Sequence, residues 1–191
     1  IKYNAGNIRS ISFALDRLGI NYILTENPEE IRFADKVIFP GVGEASTTMN
    51  FLRKAGLDII IPELKQPTLG ICLGMQLMCR HSEEHNTDCL NIFDVPVIKI
   101  PAEGNMKVPH MGWNKLHSVK DWLSPELENQ YVYFVHSYYI PVNAFTTAQT
   151  SYGVAVSAAM RKDNFYAVQF HPEKSAESGI QILKDFLNVN L

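Results

Sequence analysis

A cysteine between two glycines has the sequence surroundings of an enzymatic nucleophile. Residues 70–74 read Gly-Ile-Cys-Leu-Gly and follow the apolar stretch Pro-Thr-Leu at 67–69. This order is typical of a strand that ends in a tight turn, with the nucleophile at the turn and a helix behind it. Glycines let the backbone reverse where a Cβ would collide. The helix predicted from Leu73 to Met78 would point N–H groups and its positive dipole end at the Cys72 sulfur, which favours the thiolate. A buried structural cysteine is the alternative.

The partners that such a nucleophile needs occur near the end of the chain, where residues 170–173 read Phe-His-Pro-Glu. A thiol requires a base within hydrogen-bonding reach, and the base requires a carboxylate that fixes its tautomer. Residues two apart in an extended chain point to the same side, so His171 and Glu173 can face one site. Pro172 lacks a backbone donor and indicates a strand end or a loop. Cys72, His171 and Glu173 are therefore the candidate catalytic residues.

Thioester formation also requires donors for the oxyanion of a tetrahedral intermediate. One donor is the N–H of Leu73, the residue after the nucleophile. The other should come from a loop at a neighbouring strand end, and Gly-Val-Gly at 41–43 directly follows a predicted buried strand. We expect Val42, Gly43 and Leu73 to form the oxyanion hole, with a peptide flip that turns the Val42 N–H inward only in an activated state. An ordinary turn after the strand is the alternative.

The elements that must position these residues alternate early in the chain and are mostly strands later. Apolar residues at helical spacing predict a helix from about residue 8 that ends at Gly19. A helical stretch over 46–64 is expected to break near Gly56 and Pro62. The predicted strands lie at 22–24, 37–39, 97–100, 114–118, 131–140, 148–152, 154–160 and 166–170, and a helix over 180–187 closes the chain. This order predicts an α/β fold with a mixed central sheet flanked by helices, in one domain spanning 1–191.

Composition excludes several classes of protein. The chain has 191 residues, 19% of them charged, with a net charge of −3 and no run of lysine or arginine, so it has no electrostatic footprint for nucleic acid. No stretch approaches the ~20 apolar residues of a membrane span, and no signal-peptide pattern opens the sequence. Three cysteines, an odd number, predict a reducing cytoplasm rather than a disulfide framework; Cys79 is expected to be a packing residue on the helix after Cys72. The sequence contains neither a C-x-x-C nor an H-E-x-x-H motif, so we expect no metal site. We also expect no cofactor. Ile1 is not an initiator methionine, and with Lys2 and Tyr3 it is expected to be the end of a first strand.

Two motifs together resemble the triad-type (class I) glutamine amidotransferases. They are Gly-Ile-Cys-Leu-Gly-Met-Gln at 70–76 and Phe-His-Pro-Glu-Lys-Ser at 170–175. Three further segments are similar to one branch, the glutaminase subunits of imidazole glycerol phosphate synthase: Pro-Gly-Val-Gly at 40–43, Val-Pro-His-Met-Gly-Trp-Asn at 108–114 and Tyr-Phe-Val-His-Ser-Tyr-Tyr at 133–139. The resemblance covers essentially the whole chain. It implies a flavodoxin-like fold and hydrolysis of L-glutamine to glutamate and ammonia through a cysteinyl thioester.

The resemblance also implies a partner. Ammonia would pass to a separate cyclase, which uses it to form imidazole glycerol phosphate and an aminoimidazole carboxamide ribotide in histidine biosynthesis. That cyclase is a (β/α)₈ barrel of ~250 residues, which a chain of 191 residues cannot contain. A heterodimer of two chains is therefore implied. Three alternatives remain: a glutaminase subunit of another synthase, a free glutaminase or γ-glutamyl hydrolase, and a catalytically silent binding subunit of the same fold.

Further site residues carry over by the same resemblance. Gln76 lies one helical turn after Cys72 on the same face, and Glu84 matches the carboxylate that receives the α-ammonium of glutamine, although Glu83 stands beside it. The substrate-binding residues implied are Gly41, Gly74, Gln76, Glu84, His136, Ser137 and Tyr138. Those implied at the partner interface, around the ammonia exit, are Asn4, Asn7, His110, Met111, Trp113, Asn114 and Lys174. Trp113 is expected in a loop, where a tryptophan is available as an interface anchor. A tryptophan folded back onto its own sheet is the alternative.

The chain departs from the family at its opening. The family usually begins D-Y-G-A-G-N, whereas residues 2–7 here read Lys-Tyr-Asn-Ala-Gly-Asn. The exchange of an acid for lysine and of a glycine for asparagine changes the groups available for contacts at the partner face, but it leaves the three candidate catalytic residues untouched.

Overall fold

The helices and strands follow one another in an α/β order in a computed structural model that describes residues 1–3, 8–102 and 106–190. The strands are β1 (Val37–Phe39), β2 (Thr68–Ile71), β3 (Cys79–Ser82), β4 (Thr87–Asp88), β5 (Phe93–Lys99), β6 (His110–Lys115), β7 (Tyr131–His136), β8 (Tyr138–Tyr139), β9 (Thr146–Tyr152), β10 (Val154–Lys162) and β11 (Phe165–Val168). The helices are α1 (Ile8–Arg17), α2 (Pro28–Arg32), α3 (Ala45–Lys54), α4 (Leu57–Glu63), α5 (Leu73–Leu77) and α6 (Ala176–Asn188), with short 3-10 helices at Pro125–Leu127 and Pro172–Lys174. None of these helices is long and apolar enough to cross a membrane.

The main sheet has five strands in the order β1-β2-β11-β10-β9. β1, β2 and β11 run parallel, with Phe39 opposite Gly70 and Gly70 opposite Ala167, whereas β10 and β9 are antiparallel to their neighbours. The carboxyl ends of the three parallel strands therefore meet at one edge of the sheet. That edge is where α/β sheets bind their ligands, and the loop 40–43, Cys72 and the segment 169–173 all follow directly from it.

Helices cover both faces of this sheet, so its central strands are buried throughout. All four residues of β2 and of β11 are buried. Leu69 and Ile71 pack with apolar residues of α1 and α6 on one face. The opposite face holds Phe39 with apolar residues of α3, α4 and α5. In β11, Tyr166 and Val168 enter the first core and Phe165 and Ala167 enter the second, as a strand covered on both sides requires.

Two smaller sheets complete the fold. β4, β3, β5 and β8 form a four-stranded sheet, and β6 pairs with β7 in an antiparallel ribbon. In the ribbon Trp113 lies opposite Tyr133, and His110 lies opposite His136. The ribbon adjoins the base-bearing segment, since the N–H of His171 donates to the carbonyl of Tyr133 at 2.9 Å.

Several sequence predictions differ from the structure. No strand forms over 22–24; instead the Lys2 N–H donates a single hydrogen bond to the Thr25 carbonyl at 2.7 Å. The helical stretch breaks at Gly56, as expected, but Pro62 lies within α4, near its end. Cys79 was expected on the helix after Cys72 and instead begins β3, because α5 ends at Leu77.

Candidate active site

Cys72 occupies a sharp elbow between β2 and α5. Its backbone has φ 54° and ψ −109°, a conformation that L-residues rarely adopt and that proteins keep mainly at functional sites. The neighbouring glycines are required by close packing. A Cβ on Gly74 would overlap the carbonyl oxygen of Phe39, and one on Gly70 would lie 2.9 Å from the Met75 nitrogen. The G-x-C-x-G spacing therefore reflects how tightly α5 turns back against β1 and β2.

His171 and Glu173 form a buried pair beside this elbow. The distance from His171 Nδ1 to Glu173 Oε1 is 2.7 Å, and the two side chains are 1% and 0% exposed. Ser175 holds the segment in place: its hydroxyl donates to the His171 carbonyl at 2.7 Å and accepts from the Tyr133 N–H at 2.9 Å. The two-residue spacing thus brings the imidazole and the carboxylate together, at a bend clamped between β7 and α6.

The pKa of His171 is raised to about 10 from its usual 6.5. Burial alone would lower this pKa, but hydrogen bonds to Cys72 and Glu173 and the negative charges of both outweigh burial. The imidazole is therefore held as the imidazolium across the neutral pH range. A hydrogen-bonded imidazolium next to a sulfur is the arrangement that favours a thiolate.

Two further groups contact the sulfur. The amide of Gln169 donates to Cys72 Sγ at 3.8 Å, and Sγ can itself donate to the carbonyl of Val135, also at 3.8 Å. Sequence reasoning missed both residues. A signal for Gln169 was present, because it lies two residues before His171 and so faces the same side of an extended chain. Val135 acts through its backbone, which no residue type reveals.

The expected oxyanion donors are not both directed at the cleft. The Leu73 N–H donates to the carbonyl of Gly41 at 3.3 Å. The peptide between Gly41 and Val42 therefore presents its oxygen, and not its N–H, toward the residue after the nucleophile. The Tyr3 hydroxyl donates to the Pro40 carbonyl and anchors the start of this loop. Tyr3 is a third residue near the site that the sequence did not indicate.

A cleft of about 280 Å³ opens beside the sulfur. It is lined by Val42, Gly43, Cys72, Leu73, Gln76, Glu84, Pro109, Val135, His136, Ser137, Tyr138 and His171. Its size and mixed polar lining suit a small polar molecule. A larger apolar cavity of about 530 Å³ lies between α1, residues 20–25 and β1, but it contains neither the cysteine nor the imidazole. Among the described residues, no group of three or more histidine, cysteine or acidic side chains could hold a metal ion.

Two residues expected in the substrate site do not line this cleft. Gly41 and Gly74 pack against each other, since a Cβ on Gly41 would lie 2.7 Å from the Gly74 nitrogen. Their role in the structure is close backbone approach, which brings the loop 40–43 onto the elbow. That they also contact substrate stays a prediction.

Glu84 faces the cleft, whereas Glu83 does not. Glu84 accepts from the Ala45 N–H at 2.8 Å, and partial burial raises its pKa, opposed by that hydrogen bond. Glu83 instead accepts from the Lys99 N–H at 2.7 Å, on the neighbouring sheet. Of the two adjacent carboxylates that the sequence left open, the structure brings Glu84 to the cleft.

The segment 136–138 borders the cleft, and its backbone is held by two side chains. The carbonyl of Tyr138 accepts from Gln76 Nε2 at 2.9 Å and from His136 Nδ1 at 2.8 Å. His136 Nε2 lies 3.0 Å from His110 Nδ1, and burial lowers the pKa of each histidine to about 4. Both imidazoles are therefore neutral at pH 7.

The residues expected at the partner interface differ in exposure. Met111 and Trp113 are 62% and 52% exposed on β6, and the exposed Lys174 lies 5.9 Å from the Tyr133 ring centre. Asn114 is half-buried and donates to the Ser151 carbonyl at 2.8 Å. The remaining expected residues, Asn4 and Asn7, lie outside the described residues.

Two of these residues have surroundings that differ from the sequence prediction, and their place at a partner interface stays a prediction. His110 is 3% exposed and packs between the rings of Phe134 and Tyr152, so it cannot meet a partner in this conformation. Trp113 lies in a strand and not in a loop, and its ring packs edge-on against Tyr133. Alternation along β6 explains both outcomes, because His110 points inward and Met111 and Trp113 do not share its burial.

Known proteins of one family match this sequence over nearly its whole length. The family model described as glutamine amidotransferase class-I matches residues 2–189. A protein of Bacteroides fragilis, imidazole glycerol phosphate synthase subunit HisH, is 58% identical over 191 residues, which cover 99% of this chain and 97% of that protein. The HisH subunit of Pasteurella multocida is 46% identical over 189 residues, covering 98% and 95%.

Solved structures share the fold at low sequence identity. A crystal structure of a glutamine amidotransferase matches with a TM-score of 0.75 at 18% identity, covering 96% of this chain and 93% of that chain. A glutamine amidotransferase from Thermotoga maritima matches with a TM-score of 0.59 at 17% identity, covering 93% and 76%. The predicted α/β fold with a mixed central sheet is confirmed.

Proposed function

The chain belongs to the class-I glutamine amidotransferase family, and we propose on this premise that it hydrolyses L-glutamine as the glutaminase subunit of an imidazole glycerol phosphate synthase. The family resemblance inferred from two motifs is confirmed by a family model that spans residues 2–189. The names of the relatives support the more specific assignment to that synthase. We further propose that residues 1–191 form one glutamine amidotransferase domain.

One observation carries the proposed chemistry: Cys72, His171 and Glu173 converge at a single edge of the sheet. The imidazole hydrogen-bonds the sulfur and lies 2.7 Å from the carboxylate. A nucleophile, a base and an orienting carboxylate in this order are the minimum set for acyl transfer through a covalent intermediate.

In the proposed mechanism, Cys72 Sγ attacks the side-chain carboxamide carbon of glutamine. His171 either takes the thiol proton during attack or already holds it in an imidazolium–thiolate pair, and its raised pKa supports the pair. Collapse of the tetrahedral intermediate breaks the carbon–nitrogen bond, and the imidazolium gives its proton to the departing nitrogen, which leaves as neutral ammonia. Water, deprotonated by His171, then cleaves the γ-glutamyl thioester and releases glutamate. Glu173 orients the imidazole throughout.

We propose that the oxyanion hole is completed by rotation of one peptide. The Gly41 carbonyl accepts from the Leu73 N–H at 3.3 Å, so this donor is engaged in the resting conformation. Rotation of the peptide between Gly41 and Val42 would release Leu73 and point the Val42 N–H at the same place, next to Gly43. Glu84 would receive the substrate α-ammonium, while Gln76 and the segment 136–138 would shape the cleft.

The proposed product is ammonia that must not reach bulk water, where it becomes ammonium and loses nucleophilicity. We therefore propose a heterodimer with a separate (β/α)₈-barrel cyclase. Met111, Trp113 and Tyr131 form an exposed apolar group on the β6–β7 ribbon, each more than half exposed, and this group suits an interface. Three free cysteines are consistent with the reducing cytoplasm as the proposed location.

Measuring the glutamine-dependent reaction separately from the ammonium-dependent reaction of the cyclase tests this proposal. The chain and its cyclase would be assembled with wild-type Cys72 or with Cys72→Ala, and synthase product measured with glutamine or with ammonium at alkaline pH. We expect Cys72→Ala to lose the glutamine-dependent reaction and to keep the ammonium-dependent one, because the cyclase needs only ammonia. Equal loss of both reactions in an assembled complex would contradict a pure ammonia-donor role. Full glutamine-dependent activity in Cys72→Ala would contradict the nucleophile assignment.

A further inference from the structure

A buried chain of hydrogen bonds leads from a backbone carbonyl to the sulfur. Gln76 Nε2 donates to the Tyr138 carbonyl and to Gln169 Oε1, both at 2.9 Å. Gln169 Nε2 in turn donates to Cys72 Sγ at 3.8 Å. Gln76 is 5% exposed and Gln169 is fully buried, so water does not compete along this chain.

The direction of every bond in this chain follows from its first acceptor. A backbone carbonyl can only accept, so the Gln76 group facing Tyr138 must be its NH₂. The second hydrogen of that NH₂ meets Gln169, which must then present its oxygen. The other end of the Gln169 amide, the NH₂ group, is thereby turned toward the sulfur. Reversing either amide would place two donors or two acceptors against each other, which is costly in a buried site.

We propose that Gln169, oriented by Gln76, is a catalytic residue that stabilises the thiolate of Cys72 by donating a hydrogen bond to Sγ. The inference rests on the proposed function in so far as Cys72 is the nucleophile there. A hydrogen bond from a neutral donor to an anion is stronger than one to a neutral thiol, so the contact favours the ionised sulfur.

Gln169 counteracts another contact on the same atom. The Val135 carbonyl lies 3.8 Å from Sγ and can only accept, so it favours the protonated thiol. With His171 as the charged donor, Gln169 is a second donor that acts against this carbonyl. The sulfur therefore has two donors and one acceptor around it, and removal of either donor shifts the balance toward the thiol.

These hydrogen bonds also give Gln76 a role besides the expected substrate binding. Both hydrogens of its amide are engaged, one by Tyr138 and one by Gln169. Only its oxygen is left to meet a ligand in the cleft. Gln76 is thus a positioning residue, which acts on the sulfur through Gln169.

The test measures the ionisation of Cys72 directly, without glutamine. The full chain would be alkylated with iodoacetamide across a range of pH, and modification of Cys72 followed by peptide mass spectrometry for wild type, Gln169→Met, Gln76→Met and the double variant. Gln66→Met is the matched control, because Gln66 also donates its amide to a backbone carbonyl, that of Ile31 at 2.7 Å, far from the site. Circular dichroism melting establishes that each variant is folded.

We expect Gln169→Met to shift the pH profile of Cys72 alkylation upward by about one unit, with about tenfold slower alkylation at pH values well below the wild-type midpoint. Gln76→Met should shift it in the same direction by less, and the double variant should match Gln169→Met, since Gln76 acts only through Gln169. Gln66→Met should leave the profile unchanged.

Three outcomes would overturn the inference. One is a wild-type pH profile for Gln169→Met, even with slower glutamine turnover, because that pattern indicates packing or substrate contact. The second is a wild-type profile for Gln76→Met, which also decides the matter if Gln169→Met does not fold. The third is additive shifts in the double variant. Failure of the proposed function is distinguishable, because it would appear in the Cys72→Ala synthase assay and not in the alkylation profile.

Discussion

Replacing Glu173 by glutamine tests whether a carboxylate orients and charges the base. The Glu173 side chain is fully buried and lies 2.7 Å from His171 Nδ1, so the isosteric amide preserves packing, removes the charge and replaces one acceptor oxygen by a donor. An amide can present either its oxygen or its NH₂ to the ring, whereas a carboxylate only accepts. We expect glutamine turnover to fall about 10²–10⁴-fold, since the corresponding change in a Ser-His-Asp triad lowers kcat about 10⁴-fold.

The raised pKa of His171 gives this prediction a pH dependence with a definite sign. A base whose pKa rises from 6.5 in the unfolded chain to about 10 in the folded protein contributes stability that is complete below the lower value. That contribution is lost as the pH rises through about 10. Losing one charge-assisted hydrogen bond should cost about 1.5–3 kcal/mol of unfolding free energy near pH 6.5, reduced by relief of burying a carboxylate. The difference between wild type and Glu173→Gln should shrink toward pH 10.

Urea unfolding near pH 6.5 and near pH 10 measures the stability difference, and glutamate release by the assembled complex measures turnover. Glu177→Gln is the matched control, because it removes an exposed carboxylate from the first turn of α6. We expect the control to retain turnover and stability. Turnover of Glu173→Gln equal to that of wild type, or a stability difference that grows with pH, would refute the reasoning.

Three further substitutions have expected outcomes. Cys72→Ser should abolish glutamine hydrolysis without unfolding, because a hydroxyl lacks thiolate character; a glutamine-like electrophile should label Cys72, and peptide mapping that finds mainly Cys79 or Cys89 labelled contradicts the assignment. Trp113→Ala should weaken cyclase binding in calorimetry by about 2 kcal/mol or more, or let glutamine be consumed with less product formed. Its melting temperature should be nearly unchanged. A large drop in melting temperature, with binding and coupling intact, would place Trp113 in the core. Gly74→Ala should lower the unfolding free energy in urea by about 1–3 kcal/mol, because its Cβ would overlap a backbone oxygen at the end of β1; wild-type stability would contradict that close approach.

The predictable part of the site consists of residues whose roles impose local sequence rules. The predicted strand over 37–39 coincides with β1. Cys72 lies at the predicted turn and has a positive φ, and the glycines on either side of it, at 70 and 74, allow the tight packing of this turn. The two-residue spacing of His171 and Glu173 predicts a shared side, and their atoms lie 2.7 Å apart. In each case the chemistry and the backbone requirement fall within a few adjacent residues, where a sequence pattern can express both.

The unpredicted part depends on contacts between distant segments. Gln169 and Val135 meet the sulfur only because β11 and β7 end at the same place, and a backbone acceptor has no sequence signature. The family resemblance implies His110 at the partner interface, but strand alternation in β6 turns it inward onto Tyr152. The sequence predicts Cys79 on the helix after Cys72, but Cys79 begins β3, since a buried apolar run does not distinguish a helix from a strand.

The contacts around Cys72 supply the sulfur with hydrogen-bond donors, but they occupy one of the two expected oxyanion donors. The sulfur has an imidazolium and an amide donor beside it, whereas the Leu73 N–H is engaged by the Gly41 carbonyl. Under the proposed mechanism, one peptide rotation would remove that acceptor and add a second donor together. Tyr3 anchors the loop just before this peptide, and Gly43, with φ +120°, follows it, so the rotation can be confined between a fixed point and a residue that tolerates unusual backbone angles. The control of glutamine hydrolysis would then lie in a backbone loop that borders the cleft.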